Sequence, residues 1–279
     1  MRRVRTPGPF EAEGVAWTIH RERVVLAGWG SAILLQLAHP KVARGVAEHS
    51  GFTTESWGRI RRLRRTLHSM LALTFGTPAE AAAVAGRINA IHDRVHGHLP
   101  EAAGDASTGA PYSAHDPDLL SWVHATLLDS FLLTYRLFVR SLTEGEADRY
   151  CGEASGIEPL LGIPAGRLPR TVAELRDYLA DMQHSGAIEV TETARELARE
   201  VISPPAPRAL RPLLGLAALP AVGLLPPAIR VAYGFAWDDG RERRLRLLTA
   251  GVRAGLPFVP GVIRYWPAAR RAARRERGG

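Results

Sequence analysis

Residues 117–138 constrain this fold more than any other segment. Asp116-Pro117-Asp118-Leu119 supplies a helix cap followed by proline at the first helical position, and apolar residues then continue through Phe131, Leu132, Tyr135 and Phe138 at about 3.6-residue spacing. That pattern predicts the longest buried helix of the chain. Thr77-Pro78-Ala79-Glu80, Thr143-Glu144-Gly145-Glu146 and Thr171-Val172-Ala173-Glu174 each have the capping-box form, in which the threonine oxygen accepts an amide and the glutamate reaches back to the cap. Further helices are predicted over 20–36, 39–49, 54–75, 78–98, 188–202, 227–235, 239–254 and 260–275, and alternating β-branched runs are absent. An all-α fold follows, read as a single multi-helix domain over 1–279. Glycine- and proline-rich breaks at 104–111, 156–169 and 203–212 are too short for domain linkers, and there is no internal repeat.

A chain of 279 residues that is 46% hydrophobic and 23% charged can bury a substantial core. Its lone cysteine, Cys151, excludes an internal disulfide framework, a four-cysteine zinc site and covalent haem attachment through C-x-x-C-H. The net charge is +8 and nearly all the basicity is arginine, since Lys41 is the only lysine. The arginines cluster at 59–65 and in a basic tail, 269–279, without the interleaved aromatics of a nucleic-acid surface, so no nucleic-acid partner is expected. The N-terminus has charge but no apolar stretch behind it, which argues against a signal peptide and makes the cytoplasm the default location. The apolar run 24–38 is too short to span a bilayer. The run 213–229 contains Pro220, Pro226 and Pro227 and falls short of the ~20 residues required, so it reads as buried or membrane-surface half-helices.

Two groups of residues carry chemistry. Arg62 and Thr66, four apart, lie along one border of the stripe Leu63, Leu67, Met70, Leu71 and Phe75, while Arg61, Arg64 and His68 take the solvated face. Downstream, His92 and His96 are four apart and share a face of the expected 78–98 helix, with His98 beyond. His92-Asp93-Arg94-Val95-His96 is one change from H-E-x-x-H, which keeps a zinc hydrolase open as an alternative. The plainer reading makes His92 a hydrogen-bonded core residue and His96 and His98 surface groups at a helix C-terminus. His39 before Pro40, His49, and His124 inside the most hydrophobic helix are either satisfied core groups or parts of a site. Nine of the ten histidines precede residue 125, which puts the chemistry in the N-terminal half. Nucleophile-elbow, dinucleotide and P-loop motifs are all missing.

Several of these strings resemble one family. Leu34-Leu35-Gln36-Leu37-Ala38-His39-Pro40 with His49-Ser50, Arg62-Leu63-Arg64-Arg65-Thr66, Ile91-His92 with Val95 and Gly97, Tyr112-Ser113-Ala114-His115-Asp116-Pro117 and Trp122-Val123-His124-Ala125-Thr126-Leu127 are similar, in this order, to MpaB-type oxygenases. These are relatives of the catalytic domain of latex-clearing protein, the rubber oxygenase. The likeness runs from about 15 to 271. For the rubber-oxygenase branch it implies a globin-reminiscent helical bundle around noncovalent haem b, a proximal histidine on iron, and oxidative cleavage of a carbon–carbon double bond by dioxygen. The family's arginine and threonine near the haem become Arg62 and Thr66. The lysine that is a distal ligand in some members is Arg65 here, and arginine, always protonated, has no lone pair for iron. The proximal histidine maps to His92, with His96 as the alternative. Glu48 and Glu55 are candidates for the family's glutamate, and His39, His49 or His124 for distal hydrogen-bond donors.

The resulting expectation is a haem-b-dependent oxygenase that binds cofactor through Arg62, Arg65, Thr66 and His92 or His96. Its partners are dioxygen and a hydrophobic, unsaturated or lipid-like small molecule. The rivals are a non-catalytic helical haem- or ligand-binding protein docked on a membrane through 213–231 and the arginine tail, and the zinc hydrolase built on His92 and His96.

Overall fold

The computed structural model describes Phe10 and residues 14–49, 56–203 and 211–277, except for the side chains of 56–63 and 211–214. Helix follows helix in chain order: α1 (Val15–His20), α2 (Trp29–Leu37), α3 (Pro40–His49), α4 (Ser56–Phe75), α5 (Pro78–His92), α6 (Pro117–Phe138), α7 (Glu144–Ala154), α8 (Glu158–Leu161), α9 (Val172–His184), α10 (Glu192–Ile202), α11 (Arg211–Gly223), α12 (Pro227–Ala232), α13 (Asp239–Gly255), α14 (Gly261–Arg264) and α15 (Pro267–Arg277). The fold is all-α, with one small antiparallel pair among the described residues, β1 (His96–His98) and β2 (Pro111–Ser113), in the register His96↔Ser113, Gly97↔Tyr112, His98↔Pro111.

The 117–138 prediction holds. Asp116 caps α6 by accepting the Asp118 amide at 2.9 Å, and Pro117 occupies the first turn, where its missing N–H costs nothing. The helix passes through three apolar clusters. Leu120 packs with Ala81, Val84 and Ala85 of α5, and Trp122 with α2, α3, α10 and α12. Ala125, Leu128, Phe131, Leu132 and Tyr135 pack with α1, α7 and α9. A helix apolar on this many sides must be wrapped by others.

The capping boxes at Thr77 and Thr143 form completely. At Thr171 only half forms: its hydroxyl caps Glu174, but the Glu174 carboxylate takes the Arg170 amide at 2.7 Å instead. The cap φ is −129° there against −65° at the other two, and this turn of the backbone brings the preceding amide within reach.

Two expected helices are broken. The 20–36 segment divides into α1, a 3-10 turn at Arg23–Gly28 and α2. Glu22, 1% exposed, is drawn out of helical conformation to meet Arg264, whose Nη2 and Nε lie 2.6 and 2.8 Å from its carboxylate oxygens. The 260–275 segment splits into α14 and α15 for the same reason, since Tyr265 is extended and bridges back to Glu22. α1 is held from outside as well: the amides of Val15 and Ala16 donate to the Glu153 carboxylate of α7 at 3.1 and 2.8 Å.

Candidate active site

On α5, Ala81, Val84, Ala85 and Ile88 form the stripe that meets Leu120 and Leu73, and His92 continues it one turn further. The helix then stops. Val95 and Ala114 pair through their backbones, and Gly97 lies opposite Tyr112 so closely that a Cβ there would stand 2.7 Å from the phenol oxygen. The expected 78–98 helix therefore ends at His92, and His96 is an exposed strand residue that does not share a helical face with it. That removes the geometric basis of the H-E-x-x-H comparison. Among the described residues no three His, Cys, Asp or Glu side chains cluster so as to hold a metal ion. His98 is exposed too.

His92 is half-buried, and its Nδ1 is buried with no hydrogen-bond partner among the described residues. Its ring stands nearly perpendicular to that of His115, with centroids 5.7 Å apart, and His115 Nε2 lies 2.7 Å from Asp93 Oδ1. Burial, then the neighbouring His115, lowers the His92 pKa below its ordinary value, against a smaller opposing pull from Asp93. The ring is thus neutral near pH 7 and keeps a lone pair for a metal or a proton.

His124 lies one turn beyond Leu120 on α6. Burial depresses its pKa to about 4, and its ring is hydrogen-bonded to the Ala154 backbone. Its Nε2 is buried without a partner among the described residues. An imidazole anchored through one nitrogen, with the other unclaimed, is the arrangement that orients a histidine toward a ligand. The remaining buried histidine of this region, His20, is fully satisfied: Nδ1 lies 3.1 Å from Thr74 Oγ1 of α4, and Nε2 lies 3.1 Å from the Tyr150 hydroxyl of α7.

Four further side chains meet where α3 ends against β2. Tyr112, almost wholly buried, donates a short hydrogen bond to Glu48, whose other oxygen is 2.5 Å from Arg44 Nη2. His49 Nε2 lies 3.3 Å from the Tyr112 oxygen. The Tyr112 hydrogen bond is the main influence holding the Glu48 carboxyl below its usual range, and the phenol is pushed up by burial first and by Glu48 second. Glu48 is therefore a carboxylate fixed by two donors.

The other expected residues are spread more widely. Arg64, Arg65 and Thr66 are exposed on α4. Arg62 falls within α4, but its side chain, like the whole of Glu55, lies outside the described residues. His39, 6% exposed, accepts the Lys41 amide at Nδ1 over 3.3 Å at the start of α3, which gives it a capping role; its pKa is lowered to about 4, chiefly by burial.

Sequence reading did not single out His20, Tyr150 or Asp129. Asp129 sits on the buried helix α6, and burial pushes its carboxyl up to about 6 despite Arg136 and Arg176. An acid inside the 117–138 apolar run was the available signal for it; His20 and Tyr150, 130 residues apart, offered none. An apolar cleft of about 500 Å3, lined in part by Gly30, Phe138, Ile202 and Leu248, borders none of these histidines. Phe138 stands about 20 Å along α6 from His124.

No curated protein and no solved structure matches the chain. A family model does, the one described as "ER-bound oxygenase mpaB/B'/Rubber oxygenase, catalytic domain", over residues 17–254. That stretch begins in α1 and ends in α13, and so takes in α3, α4, α5 and α6 with every histidine discussed above, from His20 to His124. By that match the chain belongs to the mpaB/rubber-oxygenase catalytic-domain family.

Proposed function

We propose that this chain, as one domain, is a haem-b-dependent oxygenase that acts with dioxygen on a hydrophobic, unsaturated or lipid-like small molecule, with His92 as the iron ligand. The observation that carries the reading is the buried, partnerless Nδ1 of a neutral His92 at the end of the α5 stripe. Leaving such a nitrogen unpaired costs free energy unless a bound group satisfies the ring. The family's description as an oxygenase catalytic domain supports the reaction class.

The residues present fit a haem. One neutral imidazole suffices as its protein ligand, so no three-residue metal cluster is required. When bound, haem b supplies an iron centre at which dioxygen is activated. The chain's own groups do the rest. The α5 stripe and Leu120 give His92 an apolar backing, and Asp93 orients the adjacent His115. Arg62 and Arg65 of α4 would pair with the propionates, and Arg65, always protonated, would offer no lone pair to the iron. Glu48, the candidate for the family's glutamate, would be held as a carboxylate by Tyr112 and Arg44, with His49 on the same phenol.

One observation favours a second ligand assignment. His124 has its ring anchored to the Ala154 backbone and Nε2 unclaimed, which meets the orienting requirement of a metal ligand that His92 meets less fully. Absorption spectra and metal analysis of the purified wild type, His92→Ala and His124→Ala separate these assignments. A Soret band lost in His92→Ala, with helicity intact, supports the first assignment, and loss only in His124→Ala supports the second. A colourless protein carrying stoichiometric zinc overturns both. Haem without oxygen consumption on polyisoprenoid, carotenoid or fatty substrates makes the chain a binding protein.

A further inference from the structure

The sequence pointed to 213–231 and the arginine tail as a membrane-docking face, but the structure uses much of both for packing. Ala221, Val222, Leu225 and Ile229 are buried, and Ala269 and Ala272 of α15 pack against Trp17 and Phe75. No helix among the described residues is long and apolar enough to cross a membrane. Leu216 and Val231 of that stretch stay exposed, but the larger group of exposed apolar side chains lies along α13 and the turn that follows it.

α13 buries Leu245 and Thr249, and Leu256 just beyond it continues that face. Its opposite face carries Arg243, Leu247, Ala250, Gly251 and Ala254, all exposed, and Phe258 extends this line past the helix end. Leu247 is 70% exposed, Phe258 86%, Val262 56% and Ile263 59%. Between Arg253 and Arg264 the chain runs through 10 consecutive uncharged residues, 254–263, most of them in solvent. Three exposed arginines, Arg243, Arg244 and Arg246, stand beside this surface. Among the described residues Arg243 and Arg244 have no ion-pair partner, and Arg246 reaches Glu242 only at 3.9 Å.

We propose that the outer face of α13, with Phe258, Val262 and Ile263, docks on an anionic lipid bilayer. The apolar tip enters the boundary between headgroups and acyl chains, and Arg243, Arg244 and Arg246 meet lipid phosphates. Charge complementarity selects this occupant over a second copy of the chain. A second copy presents the same excess of arginine over carboxylate at 239–263 and supplies no surplus of opposite charge, whereas lipid phosphates do. Docking of this face is independent of any cofactor and of the reaction.

The test is co-sedimentation of the full chain with vesicles of pure phosphatidylcholine and with vesicles about one-third phosphatidylglycerol. Binding is expected to the anionic vesicles only, and to weaken as salt rises. Phe258→Ser/Ile263→Ser lowers the apparent partition about tenfold, and Arg243→Ser/Arg244→Ser lowers it about fivefold per arginine. All four side chains are solvent-facing, so the variants retain the wild-type circular dichroism spectrum. The proposal is overturned if the wild type ignores anionic vesicles or if Phe258→Ser/Ile263→Ser binds as well as wild type. A concentration-dependent dimer in light scattering, abolished by the same double substitution, overturns it in favour of a second copy.

Discussion

The Nε2 atom of His20 lies 3.1 Å from the hydroxyl oxygen of Tyr150, and the rest of the network fixes which of them donates. Thr74 donates its hydroxyl hydrogen to the Met70 carbonyl at 3.0 Å, so its oxygen accepts from His20 Nδ1–H. Nε2 is then the acceptor and Tyr150 the donor. This chain of bonds fastens α4 to α7 through α1. Tyr150→Phe leaves a buried acceptor unpaired and is expected to cost about 1–3 kcal/mol. An unchanged urea midpoint would show that the pairing contributes nothing.

Acid sensitivity follows from four histidines held below their ordinary value of 6.5, in each case mainly through burial: His20 at about 3, His39 and His124 at about 4, and His92, lowered as well. Between about pH 6.5 and pH 4 the unfolded chain takes up protons that these folded sites refuse. Stability is therefore complete above 6.5 and lost as pH falls, by about 1 kcal/mol or more at pH 5 for each of His20, His39 and His124. Asp129, raised to about 6, acts in the opposite sense by binding a proton more readily when folded. With four histidines against one aspartate, the urea midpoint is expected to be clearly lower at pH 5 than at pH 7.

Glu22 and Arg264 form a buried, doubly bonded ion pair that holds the chain near its C-terminus onto the segment after α1. Removing one partner strands the other charge, so Glu22→Ala is expected to lower stability by about 3–5 kcal/mol. Calorimetry of Glu22→Ala and of the double variant Glu22→Ala/Arg264→Met checks the origin of that loss. The double variant is expected to recover part of it.

Tyr112→Phe removes the strongest influence depressing the Glu48 carboxyl. Carbon-13 NMR titration is expected to find Glu48 titrating at higher pH in that variant, while Arg44 keeps its bridge. A titration indistinguishable from wild type would assign the depression to Arg44 alone.

Two glycines on helical segments are expected to respond in opposite directions to alanine. A Cβ on Gly28 would meet the Thr134 hydroxyl and stand 2.7 Å from the Ser130 carbonyl oxygen, so Gly28→Ala overpacks the contact with α6 and costs about 1–3 kcal/mol. Gly86 on α5 has nothing within 4 Å of that position, and Gly86→Ala is expected to add about 0.5–1 kcal/mol. Thermal melts of the two variants should move in opposite directions.

Elements set by neighbouring residues could be read from the sequence, whereas those set by distant ones could not. Asp116-Pro117 and the threonine caps at 77 and 143 act over three or four residues, and the helices they start lie where the pattern puts them. The break at Glu22 depends on an arginine 242 residues away, and the stop at His92 on strand pairing with 111–113. Asp93-Arg94-Val95 contains neither glycine nor proline to announce it. For the site, the motif strings singled out His92 and His124, and the structure places them on α5 and α6. Their freedom depends on which nitrogen the tertiary structure leaves unclaimed, and no local pattern encodes that.

The carboxylate of Glu153 across the first amides of α1 has a bearing on the order of events in folding. A helix of six residues is far below the length that persists alone in water, and this one draws its N-terminal hydrogen bonds from 137 and 138 residues downstream. On a growing chain α1 cannot settle until α7 has been synthesised, so the first described helix forms later than its place in the sequence suggests.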